Sequence, residues 1–405
     1  MKNKSNSNMV GLLLINLCFG VISLFVGTFL LARIFIMTGE SFLALGLFSL
    51  FNFSFVFIFQ LVGGVICKRF KPIYVTRLST VLACLLLILI VALQEELIYY
   101  YIFFGLLWGC ITGLFFCADQ FFVSKNSEGE GTLSFVSKQI IFFSAASLVF
   151  PITLGAIIDY GNFLIISAII LAIGILQMLA TFLIKDEPRL GESKKLDIKG
   201  YFKAIKKANH LKQGVNFWFI MALTGFANTI VILATALVML TFNTYLNLGI
   251  LLSVVYIFVM AISRLYKKAV GLRKYFYGAA VVLSLIGVAF LLFSVSMFSV
   301  VLFMVFYRST RIIIFMEEET TRLNATKYWK GEDFIMESNL FYDAALAFGS
   351  MVSALLVIIA GAFYIQWLII LLLSITVFAF SLHGVLLKLW LAKISQVIQV
   401  DETAG

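Results

Sequence analysis

The sequence predicts an all-α integral membrane protein, with twelve transmembrane helices arranged as two pseudo-symmetric six-helix bundles. Three observations carry that reading: the composition, the spacing of the apolar runs, and the alternation of charge between them. Apolar residues make up 62% of the 405 and charged residues only 12%, against roughly 45–50% and about 25% in a soluble domain. Lipid, not water, is therefore the solvent for most of the chain. At about 20 residues per crossing the apolar content allows a ceiling of about twelve crossings.

The crossings can be walked off in order. The first six are Gly11 to Met37, Phe42 to Cys67, Ile73 to Leu93, Ile98 to Val123, Ile140 to Ile158 and Phe163 to Ile184. After a polar interval come Val215 to Leu240, Leu248 to Ile262, Tyr275 to Phe293, Phe298 to Met316, Leu340 to Ala362 and Ile365 to Leu387. Each is read as a span on length and hydropathy, the eighth being the shortest. The first run is too long for a signal-peptide core and is expected to stay in the mature protein.

Charge gives the orientation, because Lys and Arg accumulate in short cytoplasmic loops. Alternate breaks are basic: Lys2 and Lys4, then Lys68, Arg69 and Lys71, then Lys125 and Lys138, then the cluster from Lys185 to Lys212. The series continues with Arg264, Lys267, Lys268, Arg273 and Lys274, then Arg322, Lys327 and Lys330, then Lys388 and Lys393. The other breaks hold Glu40, Glu95, Glu96 and Asp159, and Arg33 is the one basic residue near that face. Both termini are thus expected in the cytoplasm of a multi-pass protein of the cell membrane. The net charge of +10 is accounted for by these loops, and no nucleic-acid partner is expected.

Several chemistries are excluded by what is missing. There is no GxxxxGK[ST] loop, no HExxH and no GxSxG. The five cysteines, Cys18, Cys67, Cys84, Cys110 and Cys117, lie in apolar stretches without CxxC spacing, and the two histidines are His210 and His383. Neither a disulfide framework nor a metal site is expected, no cofactor is implied, and the chain does not read as an enzyme. A polytopic glycan polymerase or acyltransferase would usually need a large outer loop, and every external break here is short.

The polar interval divides the chain into residues 1–184, a linker at 185–213 and residues 214–405. Within the linker Ile198, Tyr201, Phe202 and Ile205 recur at helical spacing, with Lys199, Lys203, Lys206 and Lys207 on other faces. This predicts an amphipathic helix lying on an anionic inner leaflet; a solvated linker is the alternative.

Six crossings, a cytoplasmic linker and six more resemble the major facilitator superfamily of secondary transporters. Part of that family's loop motif after the second crossing is present: Gly63 matches its first glycine, Lys68 its first base and Lys71 its second. Cys67, Phe70 and Pro72 stand where the family has aspartate, glycine and a base. Pro151 and Gly155 resemble its proline-and-glycine signature in the fifth crossing. The resemblance implies that crossings one, four, seven and ten line a central cavity and that the two halves rock to expose it alternately. It also places Lys68, Arg69 and Lys71 near the start of the eleventh crossing, where Glu337 and Asp343 lie. A cytoplasmic gate with its signs reversed is then one reading, and ordinary solvated charges are the other. In the fourth crossing, Gly105, Gly109 and Gly113 recur every four residues and offer a flat ridge to a neighbouring helix.

Charges in hydrocarbon cost about 2.5–3.5 kcal/mol each on insertion scales, so each asks for a partner or a task. Asp119 and Gln120 lie near the cytoplasmic end of the fourth crossing; Arg308 and Arg311 share one face of the tenth. By the family layout Asp119 can meet the arginines across the halves, and a carboxyl so placed could link proton occupancy to which way the cavity faces; a structural ion pair is the alternative. Asn16, Trp108, Gln120 and Asn228 are candidates to line the cavity. Glu317, Glu318 and Glu319 read as a solvated helix end, and Arg33 as snorkelling to the interface.

The expected function is a permease moving a small solute by alternating access, coupled to protons, with a slight lean towards efflux, and working as a monomer in the bilayer. A charge-poor cavity suits an amphipathic or weakly polar cargo. A flippase for lipids or lipid-linked precursors on the same fold, and a non-transporting sensor or immunity protein, are the competing readings.

Overall fold

A computed structural model describes residues 2–126, 146–184, 195–207, 211–242, 244–268, 273–294, 296–328, 334–363, 371–375, 377–387 and 389–390. Outside them fall the start of the fifth predicted run at 140–145, linker residues 185–194, His210, the start of the twelfth run at 365–370, and Lys138, Lys330, Lys388 and Lys393. Among the described residues nine helices are long and apolar enough to cross a membrane, and three shorter apolar helices accompany them. Together they overlap the twelve predicted runs.

The first bundle comprises α1 (Lys2–Leu24, continuing through Phe25–Leu30 to Met37), α2 (Phe42–Arg69), α3 (Pro72–Leu93), α4 (Tyr101–Asn126), α5 (Ala146–Tyr160) and α6 (Phe163–Ala180). The linker contributes α7 (Ile198–Lys207). The second bundle comprises α8 (Leu211–Ala227, resuming at Thr229–Phe242), α9 (Tyr245–Lys268), α10 (Arg273–Phe293), α11 (Met297–Tyr328), α12 (Ile335–Ala362) and α13 (Leu371–Leu387). The seventh to twelfth crossings are thus α8–α13.

Local chemistry explains most boundaries. Pro72 occupies the first turn of α3, where its missing N–H has no helical partner to lose. Ser41 caps α2 by accepting from the Ala44 amide, and Asn162 caps α6 by accepting from Leu164. The fourth crossing starts at Tyr101 and not at Ile98, because Gln94 adopts a positive φ of 41° that ends α3, and Gln94–Tyr99 winds as a tight 3-10 helix. The eighth crossing, the shortest by hydropathy, runs from Tyr245 to Lys268. Its last turns carry Arg264 and Lys268, which lower the hydropathy without ending the helix.

Two irregularities fall on predicted cavity helices. Phe25–Leu30 in α1 is a π-helical stretch, with Phe25, Val26, Thr28, Phe29 and Leu30 all buried. In α8 the helix is interrupted at Asn228, whose amide bonds back to the Gly225 carbonyl.

The predicted glycine ridge of α4 faces α2. A Cβ at Gly105 would stand 2.6 Å from the Phe48 carbonyl oxygen, and Gly109 and Gly113 meet the Asn52 and Val56 carbonyls more closely still. The bundles meet along α2 and α12, where Gly361 abuts Leu43, Gly46 abuts Ile358 and Gly64 abuts Leu340. They also meet along α5 and α9, where Gly155 abuts Tyr245 and Gly249 abuts Pro151.

Candidate functional site: two closures and a polar interior

At the end of the molecule that carries the linker, α2 finishes on Lys68 just where α12 begins. Lys68 Nζ lies 3.0 Å from Glu337 Oε1, and both side chains are almost fully buried. The same carboxylate oxygen accepts the Asp197 backbone N–H from the linker at 3.0 Å. One side chain of the second bundle therefore ties together the first bundle and the linker. Asp197 in turn accepts from the Gly200 amide at 2.8 Å, starting α7. Tyr201 of α7 donates to Ser338 Oγ at 3.3 Å and packs its ring against Phe334 and Phe341. Burial raises the Tyr201 phenol above its usual range, with the hydroxyl of Ser338 opposing the shift.

The linker helix forms over the predicted residues, and part of its apolar stripe meets the protein. Tyr201 and Ile205 are buried and Tyr201 lies against α12, because the first turn of α12 offers aromatic rings and a hydroxyl to meet it. Phe202 packs edge-on against Phe341 with its outer side exposed, and Ile198 and the four lysines are at the surface. Arg69 and Lys71 are also exposed, so Lys68 alone of the three basic candidates makes the contact. Gly63 packs against Cys117 of α4 inside the first bundle, where a Cβ would come within 3.2 Å. Deeper along the same seam, Gln120 Nε2 donates to Asp343 Oδ1 at 3.1 Å and the Cys117 thiol approaches Met336 Sδ at 3.7 Å.

The opposite end has its own closure. Asp159, at the end of α5, accepts from the Tyr245 and Leu246 amides at 3.2 and 2.7 Å. These are first-turn donors of α9 that no helical carbonyl reaches, and a carboxylate there is further favoured by the helix dipole. A residue of the first bundle thus caps a helix of the second. Nearby, the Arg33 guanidinium stacks over the Phe163 ring at 4.2 Å, so it is held against α6 and not simply extended to the interface.

Between the closures, the described residues do not show the predicted cross-bundle contact between Asp119 and the arginines. Asp119 Oδ1 accepts from Asn16 Nδ2 at 2.8 Å, within the first bundle. Asp119 borders a cavity of about 10 Å³ lined by Leu12, Ile15, Thr76, Phe115 and Phe122, room for about one water. Trp108 is buried in the same bundle, stacked on Phe19, which stacks on Phe115. In the second bundle Arg311 donates to Asn228 Oδ1 and, at 3.0 Å, to the Tyr307 hydroxyl. The interruption of α8 places Asn228 there, and Asn228 Nδ2 donates onward to Ser350 Oγ at 3.4 Å. Arg308 is half-buried one turn away. Among the described residues no hydrogen bond or ion pair joins Asp119 to either arginine.

The glutamates of α11 are not a solvated helix end either. The helix continues to Tyr328, which keeps Glu317 and Glu318 inside it. Glu317 accepts from the buried Tyr266 hydroxyl, and Glu318 is buried 3.8 Å from His383, which also contacts Thr224 at 2.8 Å. The Glu319 side chain lies outside the described residues.

Solved structures share this architecture. A nucleoside transporter, NupG, is 14% identical over 96% of this chain and 98% of its own, with a TM-score of 0.61. A proton-dependent oligopeptide (POT) family transporter is 12% identical over 93% and 99%, with a TM-score of 0.67. The human organic anion transporter MFSD10 is 13% identical over 95% and 99%, with a TM-score of 0.61. The chain has the major facilitator fold. At these identities the likeness establishes architecture alone. No protein-family model matches the sequence, and no curated protein sequence matches it.

Proposed function

We propose that this major facilitator chain is a permease that moves a small solute by alternating access. The observation that supports it is the pair of closures at opposite ends, each joining the two bundles through carboxylate contacts. Lys68–Glu337 holds the linker end, and Asp159 on the α9 amides holds the other. Neither contact is made within one bundle, so rocking the bundles apart at one end breaks one closure and leaves the other intact. All three transporters with which it shares the fold carry solutes across membranes, as their names state.

The basic linker end faces the cytoplasm in this reading, with both termini inside and the boundaries at 1–184 and 214–405. Asp119 is the proton-coupling group. It sits on a cavity-side helix with an amide donor on one oxygen and room for one water beside it, so its protonation can exchange through that water. The transmembrane potential supplies about 2.3 kcal/mol per proton at 100 mV, and no nucleotide hydrolysis is needed. Proteoliposomes loaded with a panel of nucleosides, peptides and organic anions, assayed with an imposed pH gradient of either polarity, test this and read the direction. Asp119→Asn is expected to abolish gradient-driven movement while leaving solute exchange. Driven movement that survives in Asp119→Asn removes Asp119 from the coupling, and absence of any flux across the panel in wild type removes the permease reading.

A further inference from the structure

Arg308 is the feature of the interior left without a chemical explanation. The apolar run of α11 extends from Phe298 to Met316 within a helix that continues to Tyr328, so Arg308 lies about 12–15 Å from either end of that run at 1.5 Å per residue, close to mid-membrane. Arg311 is on the same face one turn on. A guanidinium at that depth needs a counter-charge. Among the described residues Arg311 donates only to neutral groups, the Asn228 side-chain Oδ1 and the Tyr307 hydroxyl. Arg308 has no hydrogen bond or ion pair among the described residues.

Every interior carboxylate described is engaged elsewhere. Asp119 accepts from Asn16, Asp343 from Gln120 and Glu317 from Tyr266, while Glu337 pairs with Lys68 and Glu318 lies beside His383. The missing negative charge is therefore not supplied by these side chains. Asn228 and Tyr307 also hold Arg311 from one side, which fixes its planar fork in place without neutralising it. A pre-positioned, uncompensated fork suits bidentate recognition of a carboxylate or phosphate.

We propose that Arg308 and Arg311 form a mid-membrane binding site for an anionic group, a carboxylate or phosphate, carried by the transported molecule. This rests on the permease reading and narrows the amphipathic or weakly polar cargo expected from the charge-poor sequence to one that carries an anionic group. The anion belongs either to a free organic solute or to a lipid headgroup.

Melting curves of the purified chain in an uncharged detergent test it without any flux. The probes are sodium benzoate, inorganic phosphate and phosphatidylglycerol, with glucose and phosphatidylcholine as matches lacking net charge. Wild type is expected to melt about 3 °C higher at roughly 100-fold excess over Kd of at least one anionic probe. Arg308→Gln should lose that shift, and with no probe present should melt above wild type because an uncompensated charge inside the membrane span is gone. Arg308→Lys, which keeps the charge without the fork, should keep a reduced shift. Benzoate or phosphate acting alone identifies a free anion, and phosphatidylglycerol acting alone identifies a headgroup. The proposal is overturned if no anionic probe stabilises wild type, if anions shift wild type and Arg308→Gln equally, or if Arg308→Gln melts at or below wild type without probe. A permease for neutral solutes would fail here yet still move its cargo, so the two readings fail separately.

Discussion

At the scale of single residues, Glu337 concentrates the most consequence. Its carboxylate faces a buried ammonium and a linker amide at once. Removing one member of a buried pair leaves an uncompensated charge and costs about 3–5 kcal/mol, whereas replacing both by apolar groups is often near neutral. Glu337→Gln should therefore melt well below wild type, and the double variant Lys68→Met/Glu337→Met should recover much of the loss. The exchange Lys68→Glu/Glu337→Lys should recover less than the native pair, because an ammonium at 337 no longer accepts the Asp197 amide. Thermal melts of the four proteins check all three statements. Lys68 and Glu337 were legible in the sequence because the loop after α2 has a family spacing and an acid stood near the start of the eleventh crossing. Asp159 was not, since its partners are backbone amides 86 and 87 positions away, and amides carry no side-chain signature. The same holds for Tyr201, whose ring matched the apolar stripe expected to face lipid.

At the scale of elements, glycine placement decides how closely helices approach. The four-residue repeat on α4 was readable as a ridge, but its partner α2 was not, because the contacts are to main-chain carbonyls of Phe48, Asn52 and Val56. Gly109→Leu should force α2 and α4 apart and cost at least the ~1–3 kcal/mol typical of overpacking; a melt equal to wild type contradicts this packing. The linker helix gives a second test. With Tyr201 undocked, the exposed lysines 199, 203, 206 and 207 should become better protease sites. Tyr201→Ala is expected to be cut by trypsin within 199–207 faster than wild type, and an unchanged rate would mean that the Tyr201 contacts do not hold α7 in place. Hydropathy located the apolar runs but not all of their limits, since an apolar window detects neither a backbone turn such as Gln94 nor a helix that continues through Arg264 to Lys268. The predicted meeting of Asp119 with the arginines failed for a related reason. Helix assignment places residues on elements, while Asn16 and Asn228, each in the residue's own bundle, supply the nearer hydrogen-bonding partners.

At the scale of the whole molecule, the account requires the two closures to open one at a time. Gly249→Val would wedge α5 from α9 where Gly249 abuts Pro151, and it should raise labelling of a Leu246→Cys reporter by a membrane-impermeant maleimide. The most direct measurement is a pair of spin-label distances in nanodiscs, one between positions 70 and 389 at the linker end and one between positions 160 and 293 at the other, all four at exposed residues. Releasing the linker-end closure with Glu337→Gln should lengthen the first distance while the second stays short, and releasing the other closure with Asp159→Asn should do the reverse. Distances that stay fixed in both variants, or that lengthen together at both ends, would contradict alternating access.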